Sequence, residues 1–539
     1  MKNRFVLFLM ILFITVVLIV VNAFVQKQLG SISQEHKLVD REFVTEGTPP
    51  MIAVSTMALG GFRGIVADVL WLRAMKLQQH ARFFELVQLA DWILKLQPKF
   101  AGAAAYLGWN MSYNISVAMK SPEDRWRWVR RGLLLLQHAL ELNPNDGELY
   151  KEISWIYSHK LGNILDDAQR YYKQTMAAEL LFLLGSHYPD WAVLAASPKT
   201  EEELLSLFPP EHPLFSALEL LNLKSVGGLY DYFHLNGKLP EEVVSVLKED
   251  EIEKITGFFR RKWMMADWCL KPEIVLEINR KFGEFDWLLP ESHSVYWAYQ
   301  GTRYTRETMD FQCERMILQG LISSINYGRM LLPKDGEASE FFLLVPNTEL
   351  VDAAHEKYKE LMTHSESNIA IFKSMYENFL IDTVVTLYSY GQKGKAKVFY
   401  DELRNEIGNS KAKSMSFEQF ALVEWEEDIA DYDFKKANEQ LTGLMLQACL
   451  LLAYGDRDAA EQHLILAKRV YDAYGNDREG LDRVALPPFN EIKAQVATAI
   501  ISNFPEAADR LRAEIAADQA KDAKDKTDSK NENEEGTNQ

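Results

Sequence analysis

Two runs of residues have the types and spacing of ligand-binding motifs. Gly60, Gly61 and Gly64 could form a phosphate-binding loop, but no lysine and serine follow them, and their spacing also suits close helix packing. An acidic run could bind calcium, but it lacks the Asp-x-Asp-x-Asp-Gly pattern of a calcium loop. The run consists of Glu424, Glu426, Glu427, Asp428, Asp431 and Asp433. We therefore interpret the glycines as packing positions and the acidic run as a solvated helix face.

The cysteines and the search for catalytic motifs indicate no reaction. Cys269, Cys313 and Cys449 form no CxxC and no cluster, so neither a disulfide framework nor a zinc module fits, and small core residues are the simplest interpretation. The sequence holds no HExxH, no GxxxxGKS or GxxxxGKT, no GxSxG, and no GxGxxG after a strand. We therefore predict no catalytic residue, no cofactor and no metal site.

Two segments interleave basic side chains with tryptophan. Arg125–Arg131 (RWRWVRR) combines guanidinium groups with indoles, which suits lipid headgroups or an acidic partner. On a helix these residues point in all directions, so an ordinary amphipathic helix also explains the segment. Arg260–Trp263 (RRKW) is similar, and its simplest interpretation is a solvent-facing helix surface.

A 21-residue apolar segment, Phe5–Val25, lies near the amino terminus. At about 1.5 Å per residue, a helix of this length crosses the roughly 30 Å hydrocarbon layer. A cleaved signal peptide ending at Ala23 is the alternative, but the apolar run is longer than a usual signal core, which favours an uncleaved signal anchor. Lys2 and Arg4 precede the span, so residues 1–4 are predicted to be cytoplasmic and the body extracytoplasmic. We predict a single-pass protein of the inner (cytoplasmic) membrane with a periplasmic body.

The composition is globular and acidic. Of the 539 residues, 47% are hydrophobic and 25% are charged, so most of the chain can bury a core. The formal net charge of −18 repels phosphate, and we predict no nucleic-acid partner. Residues 26–50 are polar and end in Gly-Thr-Pro-Pro, which indicates a stalk. Residues 518–539 hold no Leu, Ile, Val or aromatic residue, which predicts a disordered acidic tail.

Helical periodicity follows the stalk and strand patterns are scarce, which predicts an all-α fold. The clearest internal unit runs from Leu441 to Tyr474. Its positions 8, 11, 15, 20, 24 and 27 hold Ala448, Leu451, Gly455, Ala460, Leu464 and Ala467. From residue 377 to about 408 the same positions hold Val384, Leu387, Gly391, Ala396, Tyr400 and Leu403. Small residues at positions 8 and 20 would let two antiparallel helices approach closely.

Other parts of the chain match the same pattern less completely. One copy contains Leu107-Gly108 in its first helix and carries about 12 extra residues around Met119–Pro122, and the next copy begins at Gly147. Ser292–Met330 indicates a looser helical pair. The region 185–290 matches poorly; there we predict a loop at Phe208–Pro213 and a helix start at Leu239–Glu242.

These units resemble the tetratricopeptide repeat (TPR) of about 34 residues, and the chain resembles a bacterial membrane-anchored TPR protein. The resemblance implies an N-terminal transmembrane helix followed by a TPR-like α-solenoid of antiparallel helix pairs with a non-repeat helical insertion. The predicted order is a cytoplasmic amino terminus (1–4), a transmembrane helix (5–25), a stalk (26–50), amino-terminal repeats (51–185), a non-repeat helical region (186–290), carboxyl-terminal repeats (291–517) and a disordered acidic tail (518–539).

The resemblance also implies which residues line a groove for partners. TPR arrays hold peptides or partner helices on a concave face that is lined by the first helix of each repeat. The candidate groove residues of this chain are Trp109, Tyr113, Lys151, Trp155, His159 and Tyr388. Trp109 and Trp155 fall at equivalent repeat positions, and tryptophan is a frequent anchor at interfaces. The alternative is that both indoles pack against neighbouring repeats.

The predicted function is that of a scaffold. A single-pass membrane-anchored TPR protein would bind partner proteins or peptides in its groove, in envelope assembly or transport, and would catalyse nothing itself. The alternative from another class is an exported α/α-toroid enzyme acting on carbohydrate, since 12% aromatic residues and many carboxylates suit a sugar-stacking cleft. Two carboxylates about 5 to 10 Å apart across such a cleft would favour the enzyme. A third alternative keeps the body in the cytoplasm as a tether for cytosolic factors.

Overall fold

The computed structural model describes residues 63–97, 99–163, 166–223, 225–304, 311–332, 342–364, 369–430, 434–453, 455–476, 486–503 and 508–513, with single positions at 17, 21, 25, 27, 28 and 516. The predicted stalk and tail lie outside the described residues, apart from positions 27 and 28 of the stalk. Within the predicted membrane segment only Val17, Val21 and Val25 are described; they are helical and exposed. No described helix has the length and hydropathy that a membrane crossing needs.

The described residues confirm the predicted all-α fold, and the chain divides into two compact units. Unit 1 is Met1–Ile153 and unit 2 is Ser154–Gln539. Gly60 and Gly61 of the predicted packing glycines lie outside the described residues. A Cβ on Gly64 would lie 3.5 Å from the side-chain nitrogen of Gln97, an ordinary contact distance.

Unit 1 consists of consecutive helices that pack on one another. Its elements are α1 (Arg63–Gln79), α2 (Phe83–Leu96), α3 (Ala101–Asn110), the π-helical segment π1 (Met111–Ile115), α4 (Ser116–Ala118), α5 (Pro122–Leu142) and α6 (Gly147–Trp155), which ends beyond the unit boundary. Helix α1 packs on α2, α2 on α3, and α3 and π1 pack on α5. The core between these helices is apolar, with Leu86, Ile93, Ala103 and Leu107 fully buried.

Helices α3 and α5 are antiparallel and touch through two glycines. Lys99, before α3, donates to the Leu142 carbonyl at the end of α5 at 3.1 Å. A Cβ on Gly108 would lie 2.6 Å from Leu136 Cγ, and a Cβ on Gly132 would lie 2.7 Å from the Gly108 carbonyl oxygen. Both distances are shorter than van der Waals contact, so glycine is required on both helices.

The extra residues predicted around Met119–Pro122 lengthen both helices of this pair. The run of α3, π1 and α4 continues to Ala118, and α5 begins at Pro122. Ser121 caps α5, because its hydroxyl accepts a hydrogen bond from the Asp124 backbone N–H at 3.1 Å. Proline at the first helical position needs no N–H partner and has the right φ. Local capping thus fixes where the Arg125–Arg131 segment starts its helix.

Unit 2 begins with π2 (Ile156–Gly162), which continues α6 and packs against α7 (Gln169–Leu184). Mostly short helices follow: α8 (Trp191–Ala196), α9 (Glu201–Leu205), α10 (Pro213–Leu220), α11 (Val226–Asn236), α12 (Glu241–Val244), α13 (Glu249–Trp263), the π-helical π3 (Met264–Trp268) and α14 (Pro272–Phe282). Helices α8, α9 and α11 all contact α13. The helix start predicted at Leu239–Glu242 is present, and the predicted loop ends at Pro213, the first residue of α10.

A buried helix follows the short ones. Helix α15 (Pro290–Gly301) is buried at every position except Tyr299 and packs on π2, α14 and α16 (Gln312–Tyr327). Its pair with α16 falls within the helical pair predicted at Ser292–Met330. After α16, β1 (Arg329–Leu331) and β2 (Leu343–Val345) form a short antiparallel ladder.

The carboxyl-terminal part of unit 2 is again a succession of helices. After a 3₁₀ turn (Thr348–Leu350) come α17 (Val351–His364), α18 (Ile369–Ser389), α19 (Lys393–Glu402), the π-helical π4 (Leu403–Ile407), α20 (Ser410–Ser414), α21 (Phe417–Ala430), α22 (Phe434–Ala453), α23 (Arg457–Asn476) and α24 (Phe489–Asn503). Each of α16, α17 and α18 packs on the helix after it, and α22 packs on both α23 and α24.

The two repeat units predicted in this part are helix pairs with the same turn. Gly391 precedes α19 with φ +74°, and Gly455 precedes α23 with φ +88°, a region that only glycine enters without strain. In one turn the N–H of Gln392 donates across the glycine to the carbonyl of Leu387, five residues before it, at 2.8 Å, and the N–H of Asp456 donates in the same way to Leu451 at 2.9 Å. The structure has a helix pair at each of the two places predicted, 377–408 and 441–474, but both first helices start earlier, α18 at Ile369 and α22 at Phe434.

Candidate functional site

Two pairs of the candidate groove residues share one local structure. Trp109 stacks on Tyr113 with ring centroids 5.5 Å apart and planes 27° apart, and Trp155 stacks on His159 at 4.7 Å and 11°. Each tryptophan lies in the last turn of an α-helix, and its stacking partner lies in the π-helical segment that follows. We call these the Trp109 pair and the Trp155 pair. Since each belongs to a different unit, each is described by itself.

The Trp109 pair faces away from the core of unit 1. Leu107, Met111 and Ser112 are buried, whereas Trp109 is 38% exposed and Tyr113 is half-buried. The buried residues lie on the face that packs on α5, and residues two positions away along a helix point elsewhere. The stacked rings of the Trp109 pair are therefore open to solvent.

A hydrogen-bond network around Asn110 fixes the junction between α3 and π1. Asn110 is fully buried, and its amide donates to the Tyr106 carbonyl at 3.0 Å. Its side-chain oxygen accepts from the Asn114 amide at 2.6 Å and also from Gln78, which in turn accepts from the Tyr106 hydroxyl at 2.7 Å. Because buried polar groups are costly without partners, this closed network holds the change from α- to π-helix at one position.

A polar core positions the Trp155 pair in unit 2. The Ser154 hydroxyl donates to the Ser294 carbonyl at 2.9 Å, and the two serine hydroxyls are 3.0 Å apart. One turn later, the Tyr157 ring stacks on His293 with centroids 5.1 Å apart. Helix α15 therefore packs on the face that carries Ser154 at the end of α6 and Tyr157 in π2, and the Trp155 pair lies on the other, half-buried face.

Buried charges hold the carboxyl end of π2. Lys173 donates to the Gly162 carbonyl at 2.8 Å, and its ammonium lies 3.5 Å from the Glu291 carboxylate. Their side chains are 3% and 5% exposed. Lys160 forms a second buried ion pair, with Asp166. A cation at the end of a helix satisfies its last carbonyls and the helix dipole, so Lys173 stabilises the end of π2 at Gly162, three residues after His159.

The two pairs differ in their response to protons. Burial lowers the pKa of His159, and the neighbouring charge of Lys160 lowers it further. The neutral imidazole is therefore the favoured form beside Trp155. In the Trp109 pair the position equivalent to His159 is taken by Tyr113, and a tyrosine side chain is uncharged over the pH range in which histidine titrates.

The remaining two groove candidates have other surroundings. Lys151 is bound by Glu148 at 2.6 Å and by Glu152 at 2.7 Å. Burial on its own would lower the pKa of Lys151, but the hydrogen bonds to the two glutamates raise it. Tyr388 packs at 79° on Phe417 with the Lys393 ammonium 5.3 Å from its ring, and its described ring contacts involve neither tryptophan pair.

Part of the acidic run lines a cavity and is not simply a solvated face. Glu424 and Glu427 both pair with Lys411, Glu424 at 3.0 Å, and the Glu424 side chain is 13% exposed. With Trp425 and Tyr390 they line a cavity of about 320 Å³. In the part of the chain that the structure describes, no group of three or more His, Cys, Asp or Glu is placed to hold a metal ion.

The cysteines lie where small core residues lie. Cys313 and Cys449 are buried, Cys269 is partly buried, and all three are free thiols. Burial raises the pKa of Cys449 to about 11, which makes its thiolate scarce and the group inert.

Comparison of the chain with protein-family models, with curated proteins and with solved structures finds no match. The structure itself defines a helical-repeat-like, all-α protein in which two partly exposed stacked ring pairs, the Trp109 pair and the Trp155 pair, lie at junctions of α- and π-helices.

Proposed function

We propose that the chain is a membrane-anchored, TPR-like helical scaffold that binds partner proteins or peptides through the Trp109 pair and the Trp155 pair. The observation that carries the proposal is the repetition of one arrangement, a stacked, partly exposed tryptophan at an α/π junction, at two equivalent repeat positions. Segments of π-helix are rare and frequently occur at functional sites. Rings that are already stacked lose little freedom on binding, which favours them as interface anchors.

Features of the helix pairs support the TPR-like part of this proposal. Gly108 meets Gly132 where α3 crosses α5, and Gly391 and Gly455 open second helices through the same turn. A solenoid of such pairs leaves the first helices on one face, where partner chains bind in TPR proteins.

The apolar segment Phe5–Val25 supports the membrane part of the proposal. We propose that it anchors the protein in the inner membrane with the body on the extracytoplasmic side, in a role in envelope assembly or transport. Protease added to intact spheroplasts tests the orientation through an epitope placed in residues 518–539. Loss of the epitope is expected. An epitope that is cut only after lysis would place the body in the cytoplasm.

The carbohydrate-enzyme alternative is less well supported by the cavity in unit 2. Glu424 and Glu427 lie one turn apart on α21, and Lys411 binds both of them. A glycosidase needs two carboxylates on opposite sides of the scissile bond, one of them free to act as an acid. Two carboxylates on the same helix that share one ammonium do not provide that arrangement.

Partner binding is tested with Trp109→Ala, Trp155→Ala and the double variant. Partners are captured by crosslinking in cells, identified by mass spectrometry, purified, and titrated against each full-length variant. Removal of an interface anchor costs about 2 kcal/mol or more, so each single variant is expected to weaken binding about 30-fold.

Two matched controls remove exposed leucines outside the pairs. Leu72→Ala in unit 1 and Leu220→Ala in unit 2 truncate side chains that are 65% and 74% exposed. Both are expected to bind partners as the parent does. Helical circular dichroism checks that every variant is folded. Tryptophan variants that bind with the parent's affinity would rule out the proposed groove.

A further inference from the structure

An open cleft in unit 1 lies beside the segment that interleaves arginine and tryptophan. The cleft has a volume of about 1080 Å³ and is lined by residues of α2, π1 and the first half of α5. Small-molecule sites in proteins are commonly of about this size, roughly 300–1,000 Å³. One wall of the cleft is formed by residues of α5, namely Asp124, Trp126, Arg127, Trp128, Arg130, Arg131, Leu134 and Leu135.

The inside of the cleft is apolar. Val87, Met111 and Trp126 form its buried lining, each no more than 8% exposed. At its mouth, Phe84 is 85% exposed and contacts Trp128, with ring planes inclined at 55° and centroids 6.0 Å apart. Leaving a phenylalanine in water forgoes about 1.5–3 kcal/mol of burial, so the mouth is suited to an apolar ligand.

Positive charge surrounds this apolar lining. Arg127 and Arg131 lie one turn apart on α5 and both are exposed. Arg131 has no ion-pair or hydrogen-bond partner in the described part of the chain, and Arg127 pairs at 3.0 Å with Asp124 through side chains that are 77% and 49% exposed. Such an exposed pair is weak, so a phosphate can displace it. Asp91, also at the cleft, is already bound by Lys95 at 2.9 Å.

The charge of the whole unit agrees with that of the cleft. Residues 1–153 hold 17 Lys and Arg against 13 Asp and Glu, whereas residues 154–539 hold 42 against 64. Unit 1 is thus net positive in a chain of net charge −18. An anionic surface attracts unit 1 and repels the remainder of the chain.

We propose that the cleft binds an anionic phospholipid of the bilayer, with the phosphate at Arg127 and Arg131 and an acyl chain against Val87, Met111 and Trp126. An acyl chain suits this lining because it has no polar group to satisfy, whereas a peptide backbone would bury unpaired amides there. The inference goes beyond partner binding, because it needs neither tryptophan pair. It rests on the proposed anchor in one respect: 37 residues, 26–62, separate the anchor from α1. This tether holds the cleft at a raised effective concentration of headgroups.

A reporter at the mouth of the cleft tests the proposal. Leu134, 43% exposed and part of the cleft, is replaced in the full-length chain by Leu134→Cys with Cys269→Ala, and labelled with an environment-sensitive fluorophore. The protein is reconstituted in nanodiscs of phosphatidylcholine with and without phosphatidylglycerol. A blue shift of the emission is expected only with phosphatidylglycerol. It should be lost when Arg127→Gln and Arg131→Gln are combined.

Matched controls separate the cleft from the general surface. Arg404→Gln removes an exposed arginine of unit 2, and the shift should persist in it. A label at Leu220→Cys, also in unit 2, should show no shift. The proposal is overturned by an equal shift in both lipids, by a shift that survives the double arginine variant, or by a shift with an acidic peptide and none with phosphatidylglycerol. The last outcome would identify an acidic protein as the occupant.

Discussion

The Trp109 pair and the Trp155 pair have nearly the same ring geometry, but the residues packed behind them are of different kinds. Behind the Trp109 pair, glycines bring α3 against α5, and the core is apolar around one buried asparagine network. Behind the Trp155 pair lie two serine hydroxyls and the buried Lys173–Glu291 pair. The same arrangement of partly exposed rings is therefore held once by close packing of helices and once by buried polar and charged side chains. The comparison shows that the α/π junction, and not one particular core, is the common element.

Breaking the buried ion pair should have the largest effect. Lys173→Met removes the cation and leaves the Glu291 carboxylate buried without it, which is expected to cost about 3–5 kcal/mol in the free energy of unfolding of unit 2. Urea unfolding, followed by tryptophan fluorescence, measures the loss. Combining Lys173→Met with Glu291→Leu should recover much of it, because no isolated charge then remains buried.

The surface pair of Lys95 with Asp91 in unit 1 is the control. Its side chains are 32% and 55% exposed, so Lys95→Met should cost less than about 1 kcal/mol. If Lys173→Met were as mild as Lys95→Met, charge would not be what supports the Trp155 pair.

The close packing of α3 on α5 in unit 1 is tested at Gly132. A Cβ at Gly132 would meet the Ser112 hydroxyl at 2.4 Å and the Gly108 carbonyl oxygen at 2.7 Å, and a backbone atom cannot swing aside. Gly132→Ala should therefore destabilise unit 1 by about 1–3 kcal/mol, as overpacking does. It should also disturb Trp109, which follows Gly108, and so change the near-ultraviolet circular dichroism.

Gly394→Ala is the matched control for this substitution. Gly394 lies in the first turn of α19 with nothing within 4 Å of its would-be Cβ. Alanine there should be neutral or stabilise the helix by about 0.5–1 kcal/mol. Destabilisation of equal size in both variants would show that the effect is not one of close packing.

Several helix pairs were predictable from the sequence, because apolar and small residues at fixed spacing are local signals. Gly391 and Gly455 were identified as equivalent repeat positions, and both precede the second helix of a pair. Trp109 and Trp155 were placed at equivalent positions by the repeat pattern. Which face of a helix is buried and where a helix ends are both encoded in a few neighbouring residues.

The π-helical segments and the polar core were not predictable. A π turn depends on partners distant in sequence, such as Gln78 for Asn110 and Ser294 for Ser154, 32 and 140 residues away. In the sequence, Glu291 is an ordinary acidic residue in the first turn of α15, and only the folded structure shows that it is buried. The two glutamates that bind Lys151, by contrast, lie three residues before it and one residue after it, a local signal that the sequence analysis did not use.

Because charged side chains stabilise unit 2, we also expect its stability to fall in acid. Glu402 accepts hydrogen bonds from Tyr376, from Lys359 at 3.0 Å and from His355 at 2.9 Å. Burial would raise the pKa of Glu402, but these hydrogen bonds and the nearby positive charge hold it below its ordinary value. The pKa of Glu402 is lower in the folded chain than its unfolded value of 4.5, so the ionised carboxylate stabilises the fold at pH values above 4.5. This contribution is lost as the pH falls through the folded-state pKa.

Glu402→Gln should accordingly lower the thermal midpoint at neutral pH, and the difference from the parent should shrink below about pH 4.5. Glu141→Gln, in unit 1, alters a side chain that is 69% exposed and should leave the profile of the parent unchanged. A difference between Glu402→Gln and the parent that is independent of pH would mean that packing, and not the charge, is responsible.

The smallest expected effect on stability concerns His159, the histidine of the Trp155 pair. Since burial and Lys160 lower the pKa of His159, unfolded chains take up this proton more readily than folded ones, and stability rises with pH in that range. The contribution is complete above the unfolded value of 6.5 and is lost as pH falls from there through the folded-state pKa. His159→Tyr gives the Trp155 pair the ring of the Trp109 pair and should remove this part of the pH profile of the thermal midpoint. The reciprocal Tyr113→His should leave the profile of unit 2 unchanged. If His159→Tyr kept the parent's dependence around pH 6.5, another group would be titrating and the two pairs would not differ in this respect.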